Sequence, residues 1–327
     1  MTILVTGSAG HLGEAIMRLL RADGRAALGL DIASSPHTDL VGSIADRSFV
    51  SAAMKDIDAV IHTATLHKPH VATHTRQAFI DTNITGTLNL LEAAVEARVS
   101  SFVFTSTTSV FGDALVPAPG APAAWITEDV APRPKNIYGI TKQAAEELGR
   151  LFARKHGLPV TVLRTSRFFP EEDDRRAVRE AFADENAKAN EFLFRRVDIE
   201  DAARAHLMAL DRKQTADFDL FIISATTPFL AEDLSDLRSD PPAALRRRLP
   251  DLYAEFERRG WTMFGEIDRV YVNQKARDGL GWNPRYDHRL LLERLRAGEP
   301  VLGPMAQAVG VKGYHTETFE EGPYPVD

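Results

Sequence analysis

The first thirteen residues contain the pattern that most restricts the fold of this chain. A short apolar run of β-forming residues, 2–6, is followed by the glycine motif Gly7-x-x-Gly10-x-x-Gly13 and by a helical stretch, 14–22. In a strand–turn–helix unit the first glycine permits a tight turn, the second lets the backbone approach a pyrophosphate, and the third allows close helix–strand packing. Free N–H groups at the helix N-terminus favour an anion. The motif therefore predicts a dinucleotide-binding turn, with a flexible glycine loop as the alternative.

A second apolar run, 26–30, ends in Asp31, eighteen residues after Gly13. An acidic residue at the end of the second strand can accept hydrogen bonds from the ribose hydroxyls of an adenosine, and it repels a 2′-phosphate. No arginine stands in residues 32–35. We therefore expect NAD rather than NADP as the cofactor. The alternative is that Asp31 is a solvated residue at a strand end.

Strand and helix patterns continue to alternate along the first half of the chain, at residues 39–46, 47–55, 58–64, 83–95 and 101–105. Repeated βα units of this kind predict a parallel sheet with helices on both faces. The expected fold is α/β, a Rossmann-like doubly wound parallel sheet with a smaller C-terminal substrate lobe. We assign residues 1–165 to an NAD-binding domain and residues 166–327 to the substrate lobe, interleaved with the last strands of the sheet.

The composition is that of an ordinary globular protein, with 44% hydrophobic and 26% charged residues among 327. The net charge of −7 is spread along the chain and gives no reason to expect nucleic acid as a partner. No apolar run approaches the roughly 18 residues of a membrane span, and the N-terminus opens directly into a strand. With no cysteines there is neither a disulfide nor a thiolate metal site. We expect a cytoplasmic protein.

The segment Tyr138-Gly-Ile-Thr-Lys142 places a phenol and an ammonium one helical turn apart on the same face. A neighbouring ammonium favours the phenolate and is expected to lower the pKa of Tyr138 from its free value of about 10. Tyr138 is therefore a candidate general acid/base for a hydroxyl proton. The alternative is a half-buried helix tyrosine beside a solvated lysine.

The fifth predicted strand runs into a cluster of hydroxyl side chains, residues 105–109. Ligands of such sheets bind at the carboxyl ends of the strands. One of these hydroxyls is therefore expected to hydrogen-bond the substrate oxygen that Tyr138 protonates or deprotonates. The alternative is an ordinary polar turn, since Ser and Thr are common there.

Taken in order, the motifs resemble those of the extended short-chain dehydrogenase/reductases, and the chain looks like a member of the NAD-dependent epimerase/dehydratase family within that group. The motifs are Gly7-x-x-Gly10-x-x-Gly13, Asp31, Asn83-x-x-Gly-Thr87, Ser106-Thr107 and Tyr138-x-x-x-Lys142. The resemblance covers residues 1 to about 210 and fades beyond them.

The resemblance implies an enzyme, an NAD-dependent dehydrogenase or epimerase, with definite residue roles. Thr107 would orient the substrate, Tyr138 would be the acid/base, and Lys142 would both lower the pKa of Tyr138 and bind the nicotinamide ribose. The positions that the motifs and the resemblance assign to the cofactor are Gly7, Gly10, His11, Leu12, Gly13, Asp31, Ser43, Ile44, Thr63, Ala64, Thr65, Asn83, Thr105, Tyr138, Lys142, Ser166 and Phe168.

One stretch departs from the relatives that bind nucleotide sugars. Those proteins usually carry Asn-Val-Tyr-Gly-Pro after the sixth strand, whereas this chain has Arg167-Phe168-Phe169-Pro170, and only 27 residues separate Pro170 from Asp198. The segment 164–176 resembles the corresponding segment of the uronate dehydrogenases, in which an arginine a few residues after the proline holds a sugar-acid carboxylate. By that resemblance Arg176, or its neighbour Arg175, is the candidate for holding a substrate carboxylate, and Arg167 is a further candidate substrate residue. The alternative is that the arginines pair with residues 171–174 on the surface.

Four histidines, His62, His67, His70 and His74, lie within thirteen residues. Imidazoles at such spacings can ligate a metal, but the chemistry expected here needs none, and we expect no metal. His67 is a candidate substrate residue because it follows the fourth strand closely. Thr108, next to Thr107, is a second candidate.

The leading hypothesis is an NAD-dependent oxidoreductase that acts on a secondary alcohol of a sugar or sugar-derived small molecule. The alternatives are a nucleotide-sugar 4-epimerase in which NAD is recycled and a non-catalytic NAD-binding protein. The family resemblance also implies a homodimer, formed through the helices that carry residues 83–97 and 138–154.

Overall fold

The computed structural model describes residues 1–212, 218–313 and 319. The chain divides into two compact units that alternate along the sequence. The first unit comprises residues 1–110, 134–165 and 202–221, and the second comprises residues 111–133, 166–201 and 222–327. Each unit has its own hydrophobic core.

The strands in the described residues are β1 (Ile3–Thr6), β2 (Ala27–Asp31), β3 (Leu40–Val41), β4 (Ala59–His62), β5 (Ser101–Thr107), β6 (Ala124–Ile126), β7 (Val160–Thr165), β8 (Phe218–Ile223) and β9 (Arg269–Tyr271). The α-helices are α1 (His11–Ala22), α2 (Arg47–Ala53), α3 (Arg76–Phe79), α4 (Gly86–Glu96), α5 (Ile137–His156), α6 (Arg176–Ala181), α7 (Asp184–Phe192), α8 (Ile199–Asp211), α9 (Leu234–Ser239), α10 (Pro241–Arg248), α11 (Pro250–Arg259), α12 (Gln274–Leu280), α13 (His288–Ala297) and α14 (Pro304–Val309). A π-helical segment, Ile80–Thr85, joins α3 to α4.

Seven strands form one sheet in the order β3-β2-β1-β4-β5-β7-β8. The pairs β1–β2, β2–β3, β1–β4, β4–β5 and β5–β7 are all parallel. The strand order reverses between β1 and β4, and in such sheets the ligand binds outside the carboxyl ends of the strands at that reversal. The predicted doubly wound parallel sheet is confirmed, and its reversal point lies beside the glycine motif that follows β1.

Three glycines allow the backbone to pack closely at this reversal. Gly7 adopts a left-handed φ of 77°, and a Cβ placed on it would lie 2.6 Å from the backbone nitrogen of Ala64. A Cβ on Gly13 would lie 2.0 Å from the carbonyl oxygen of Gly7. Side chains at these positions would collide with backbone atoms that cannot move independently, so the sequence motif reflects a steric requirement.

The core of the first unit lies along the apolar strands and the helices packed on them. Ile3, Leu4 and Val5 of β1 are fully buried, as expected for a central strand covered on both faces. On α5, Phe152 is buried in the core and Leu148 packs against it, whereas Leu151 is 40% exposed. Phe152 and Leu148 therefore belong to the core of their own unit. The homodimer stays a prediction.

The second unit is held by a short two-stranded sheet, β6 with β9, and by a cluster of aromatic side chains. Asp201 accepts the backbone N–H groups of Arg285 and Tyr286 at 2.9 and 2.7 Å, and its carbonyl oxygen accepts the indole N–H of Trp282 at 3.0 Å. These bonds fix the segment around Trp282 to the start of α8. Within the described ranges, no helix has the length and apolar character needed to cross a membrane.

Replacing Gly13 with Ala is expected to destabilise the protein, because the added Cβ would meet the Gly7 carbonyl oxygen at 2.0 Å. Overpacking of this kind typically costs about 1–3 kcal/mol. Urea unfolding followed by circular dichroism would measure the loss. The matched control is Gly265→Ala, since a Cβ there meets nothing within 4 Å. Equal stability of the two variants would contradict the steric explanation.

Candidate active site

Tyr138 and Lys142 lie on the buried face of α5, near its first turns. Asn136 caps the helix, its side chain accepting the backbone N–H of Gly139 at 3.0 Å. Thr107 is the last residue of β5, and its hydroxyl is a hydrogen-bond partner of the Tyr138 phenol. The same hydroxyl oxygen accepts the backbone N–H of Ser109 at 3.1 Å. The two hydroxyl groups predicted to act on one substrate oxygen are therefore neighbours.

The predicted lowering of the Tyr138 pKa was wrong for the protein chain by itself. Burial raises the pKa of Tyr138 to about 12, and the hydrogen bond with Thr107 only partly opposes this rise. Sequence spacing alone does not reveal burial, which disfavours the charged phenolate. Both the phenol and the ammonium are desolvated here, with Tyr138 8% and Lys142 2% exposed.

Lys142 has the most unusual environment of the site. Burial lowers its pKa to about 7, although the Glu146 carboxylate opposes the change. The ammonium nitrogen lies 4.1 Å from the centre of the Phe104 ring, an arrangement that favours the charged form through the ring quadrupole. Lys142 is thus poised to gain or lose its proton near neutral pH.

A buried group that the sequence interpretation missed lies one helical turn beyond Lys142. The Glu146 carboxylate accepts a hydrogen bond from the Ser106 hydroxyl at 2.5 Å and two from the Arg164 guanidinium at 3.0 and 2.7 Å. These bonds join α5 to β5 and β7. The signal in the sequence was the continued spacing of four residues from Tyr138 through Lys142 to Glu146.

Asn83 joins the loop after β4 to α5. Its side-chain oxygen Oδ1 accepts the backbone N–H of Leu66 and the hydroxyl of Thr65, both at 2.9 Å. Its amide nitrogen donates to the Leu66 carbonyl at 2.9 Å and to the Thr141 hydroxyl at 3.0 Å. Asn83 lies in the π-helical segment, a feature that is frequent at functional sites. Its side chain therefore organises the predicted cofactor-side residues.

His62 is a structural residue, buried between strand and helix. The Thr87 hydroxyl donates its proton to the Asn83 carbonyl at 2.7 Å, so His62 must donate from Nε2 to Thr87 at 3.0 Å. Its Nδ1 then accepts from the Thr6 hydroxyl at 2.7 Å. Burial, and secondly the Lys142 charge, lowers the pKa of His62 well below its ordinary value. The neutral ring required by these bonds agrees with that direction.

The glycine motif fits the pyrophosphate of a dinucleotide. Gly10 is the N-cap of α1, and no side chain caps the helix N-terminus. Backbone amides at a helix N-terminus favour an anion. Asp31 accepts the backbone N–H groups of Ala9 and Ala33 at 3.0 and 2.9 Å. The carboxylate is thereby fixed beside the glycine turn, as the predicted contact with a ribose requires.

Other predicted cofactor positions of the first unit have well-defined partners. The Thr63 hydroxyl donates to the Thr6 carbonyl at 2.8 Å. Ile44 is buried against Gly86, and the Ser43 hydroxyl accepts the Ala45 N–H at 3.2 Å. The Thr105 hydroxyl is hydrogen-bonded to Nε2 of His206 at 2.8 Å, so contact between Thr105 and a cofactor would involve its backbone. His11 and Leu12 are buried in the first turn of α1.

Four predicted residues belong to the second unit. Ser166 and Phe168 are buried just after β7. Arg167 donates to the carboxylate of Asp174 and the carbonyl of Glu172, both at 2.8 Å. Arg176 has a side chain that is 68% exposed and pairs with Glu180 at 2.7 Å. A substrate carboxylate would therefore have to displace Glu180, and the carboxylate-binding role of Arg176 stays a prediction.

The histidine-rich segment follows β4. The His67 and Tyr138 ring centres are 6.5 Å apart, which places His67 near the phenol of the predicted acid/base. His70 accepts the backbone N–H of His67 through Nδ1 at 3.0 Å. Thr108 is buried next to Thr107. In the part of the chain that the structure describes, no group of three or more His, Asp or Glu side chains is arranged to hold a metal ion.

The family model described as "NAD dependent epimerase/dehydratase family" matches residues 3–223. A UDP-glucose 4-epimerase from Lactobacillus helveticus is 27% identical over 325 residues, covering 88% of this chain and 93% of that protein. An L-arabinose 1-dehydrogenase (NAD(P)(+)) from Haloferax volcanii is 32% identical over 176 residues, covering 50% of this chain and 65% of that protein. A short-chain dehydrogenase/reductase superfamily structure from Agrobacterium tumefaciens with bound NAD has a TM-score of 0.66 and 24% identity, covering 91% of this chain and 96% of that one.

The chain belongs to the NAD-dependent epimerase/dehydratase family. It is an enzyme of this family, and its cofactor is NAD. The structural likeness to the Agrobacterium protein shows the fold. The resemblance and the cofactor predicted from the sequence are thus confirmed, and the glycine motif and Asp31 provide the residues that fit this cofactor.

The burial of Lys142 predicts a pH-dependent stability. Folding lowers the Lys142 pKa from 10.5 to about 7, so the unfolded chain binds more protons between these values and stability rises with pH by up to about 1.4 kcal/mol per unit. Lys142→Met should therefore be more stable than the wild type below pH 7, with the difference shrinking as the pH rises. Urea unfolding across this range would measure it. The exposed Lys155, replaced by Met, is the control; a pH-independent difference for Lys142→Met would contradict the prediction.

Proposed function

We propose that this enzyme moves a hydride between a secondary alcohol of a sugar or sugar-derived substrate and the nicotinamide of NAD. The observation that supports it most is the arrangement of Thr107, Tyr138 and Lys142: two hydrogen-bonded hydroxyl groups beside a buried lysine whose pKa is lowered to about 7. Such a set can bind one substrate oxygen and move its proton. A non-catalytic NAD-binding protein would have no use for this arrangement.

When bound, NAD accepts the carbon-bound hydride, and the protein handles the proton and the orientation. Tyr138 takes the alcohol proton as the general base, and Thr107 holds the same oxygen. Charged Lys142 stabilises the phenolate, because an opposite charge nearby favours an ionised group. The pKa of Tyr138 is raised to about 12 by burial in the protein alone, so the reaction depends on positive charge close to the phenol.

The segment after β7 favours a substrate without a diphosphate. Residues 166–201 contain seven Lys or Arg and eleven Asp or Glu. Buried Glu191 is surrounded by guanidinium groups, with ion-pair distances of 2.7 Å to Arg195 and Arg196 and 3.8 Å to Arg167. Although burial opposes it, these three arginines hold the pKa of Glu191 well below its usual range. A substrate diphosphate that bound these arginines would have to compete with the Glu191 carboxylate, which already pairs with them.

A second candidate function is a nucleotide-sugar 4-epimerase that returns the hydride to the substrate. It is favoured by the likeness to the Lactobacillus helveticus UDP-glucose 4-epimerase, which extends over 93% of that protein. The Haloferax volcanii L-arabinose 1-dehydrogenase, which supports the first proposal, aligns over only 50% of this chain. Both functions use the same proton chemistry at Tyr138, and they differ in whether NADH accumulates.

An absorbance assay separates the two functions. Purified protein with NAD is mixed either with free aldoses and uronic acids or with UDP-, dTDP- and GDP-sugars. We expect steady accumulation of NADH with a free sugar or sugar acid. An epimerised nucleotide sugar without accumulation of NADH would overturn the dehydrogenase proposal in favour of the epimerase. If only uronic acids react, Arg176→Met tests the carboxylate-binding prediction.

Tyr138→Phe should reduce turnover by about 10²–10⁴-fold, because general acid/base catalysis contributes about that much. NAD binding, measured by calorimetry, should change little. Tyr253→Phe is a matched control, since Tyr253 is only partly buried and pairs with Arg246 in the second unit. Full activity of Tyr138→Phe would refute the catalytic role of Tyr138.

A further inference from the structure

Three titratable side chains lie along one buried face of α5. Tyr138, Lys142 and Glu146 follow each other at intervals of four residues, and they are 8%, 2% and 1% exposed. Residues four apart on a helix share a face. The proposed mechanism uses the first two, and it leaves the third, a buried carboxylate, without a role.

We propose that Glu146 is a positioning residue for hydride transfer: its carboxylate keeps the Lys142 ammonium charged and holds α5 against β5 and β7. The inference rests on the proposed function, since that function gives Lys142 its task. Glu146 touches neither substrate nor cofactor in this mechanism and acts through Lys142.

The contacts of Glu146 fix its carboxylate in place. Its Oε1 receives hydrogen bonds from Ser106 at 2.5 Å and from Nε of Arg164 at 3.0 Å, while Oε2 receives one from Nη2 of Arg164 at 2.7 Å. Ser106 immediately precedes Thr107 on β5. The Thr165 hydroxyl donates to the Ser106 carbonyl at 3.0 Å and adds a second link between β5 and β7. The carboxylate therefore links β7 to β5 and α5, the two elements that carry the proposed catalytic groups.

The other groups around Lys142 cannot supply the negative charge. His62 of β4 is held neutral by its hydrogen bonds, Phe104 of β5 offers only its ring face, and Arg164 of β7 is cationic. Tyr138 is neutral until it reacts. Among the described residues, Glu146 is the carboxylate whose charge favours protonated Lys142. Removing that charge would let the ammonium lose its proton at a lower pH.

One consequence follows for alcohol oxidation. If Lys142 is charged over a smaller pH range, the phenolate of Tyr138 loses its stabilising charge at a lower pH, and the alkaline limb of the kcat/KM profile moves to lower pH. On the acid side of the profile Lys142 stays protonated with or without Glu146, so its charge does not move the acid limb. A purely structural contribution of Glu146 would lower activity without moving the alkaline limb.

The test compares Glu146→Gln with Glu147→Gln in the NAD-bound enzyme. Glu147 is the next residue on the same helix, and its side chain is 61% exposed and paired with Arg150. We expect Glu146→Gln to move the alkaline limb about one pH unit lower, with up to about a tenfold loss of kcat/KM above neutral pH. Glu147→Gln should leave the position of the alkaline limb unchanged, as should Ser106→Ala, which keeps the charge. An unmoved alkaline limb in Glu146→Gln, or an equal shift in Ser106→Ala, would overturn the proposal.

A second readout needs no substrate and so separates this inference from the proposed function. At low pH, Lys142→Met has a larger free energy of unfolding than the protein that keeps Lys142. This difference begins to shrink near the pKa of Lys142, so the pH at which it does so reports that pKa. We expect this pH to be about one unit lower in the Glu146→Gln background than in the wild type, and an equal pH would overturn the charge link. If Glu146→Gln fails to fold because Arg164 is left unpaired, Glu146→Gln/Arg164→Met is compared with Arg164→Met. The difference between these two variants reports the Glu146 charge and excludes the effect of losing the Arg164 cation, and the same two readouts apply.

Discussion

The burial of one ionisable side chain, Lys142, constrains the candidate active site of this protein. Moving an ammonium out of water costs several kcal/mol after relaxation, and Lys142 is 2% exposed. The Phe104 ring and the Glu146 carboxylate offset part of this cost. The part of the cost that is not offset lowers the pKa of Lys142 to about 7. The buried lysine therefore reduces folding stability, and it lies on the same helix face as the buried Tyr138 phenol.

The parallel sheet makes such a centre possible because it brings distant parts of the chain to one edge. Thr6, His62 and Thr107 end β1, β4 and β5, which are neighbours in the sheet. From Thr6 through His62 and Thr87 to Asn83, each hydroxyl or imidazole has one defined proton donor and one defined acceptor. A connected network of this kind specifies one arrangement of side chains, since a half-satisfied buried polar group is costly.

The sequence predicted the fold because the relevant signals are local. The glycine spacing reports steric contacts such as that of Gly13 with Gly7, and alternating apolar runs report a parallel sheet covered on both faces. The direction of the Tyr138 pKa was missed because it depends on burial, which arises only when the strands assemble. The link of Glu146 to Arg164 and Ser106 was missed for the same reason: eighteen and forty residues separate these partners.

The π-helical segment Ile80–Thr85 lies within a continuous run of helix from α3 to α4. A π turn holds one more residue than an α turn, and a deletion there would restore regular α-helical geometry along the whole run. Such a deletion would also rotate everything on one side of it by about 100°. Asn83 would then turn away from the loop after β4 and from Thr141. A deletion that makes this helix regular would therefore break the hydrogen bonds by which Asn83 connects the loop after β4 to α5. The π-helical irregularity is thus itself a part of the candidate site.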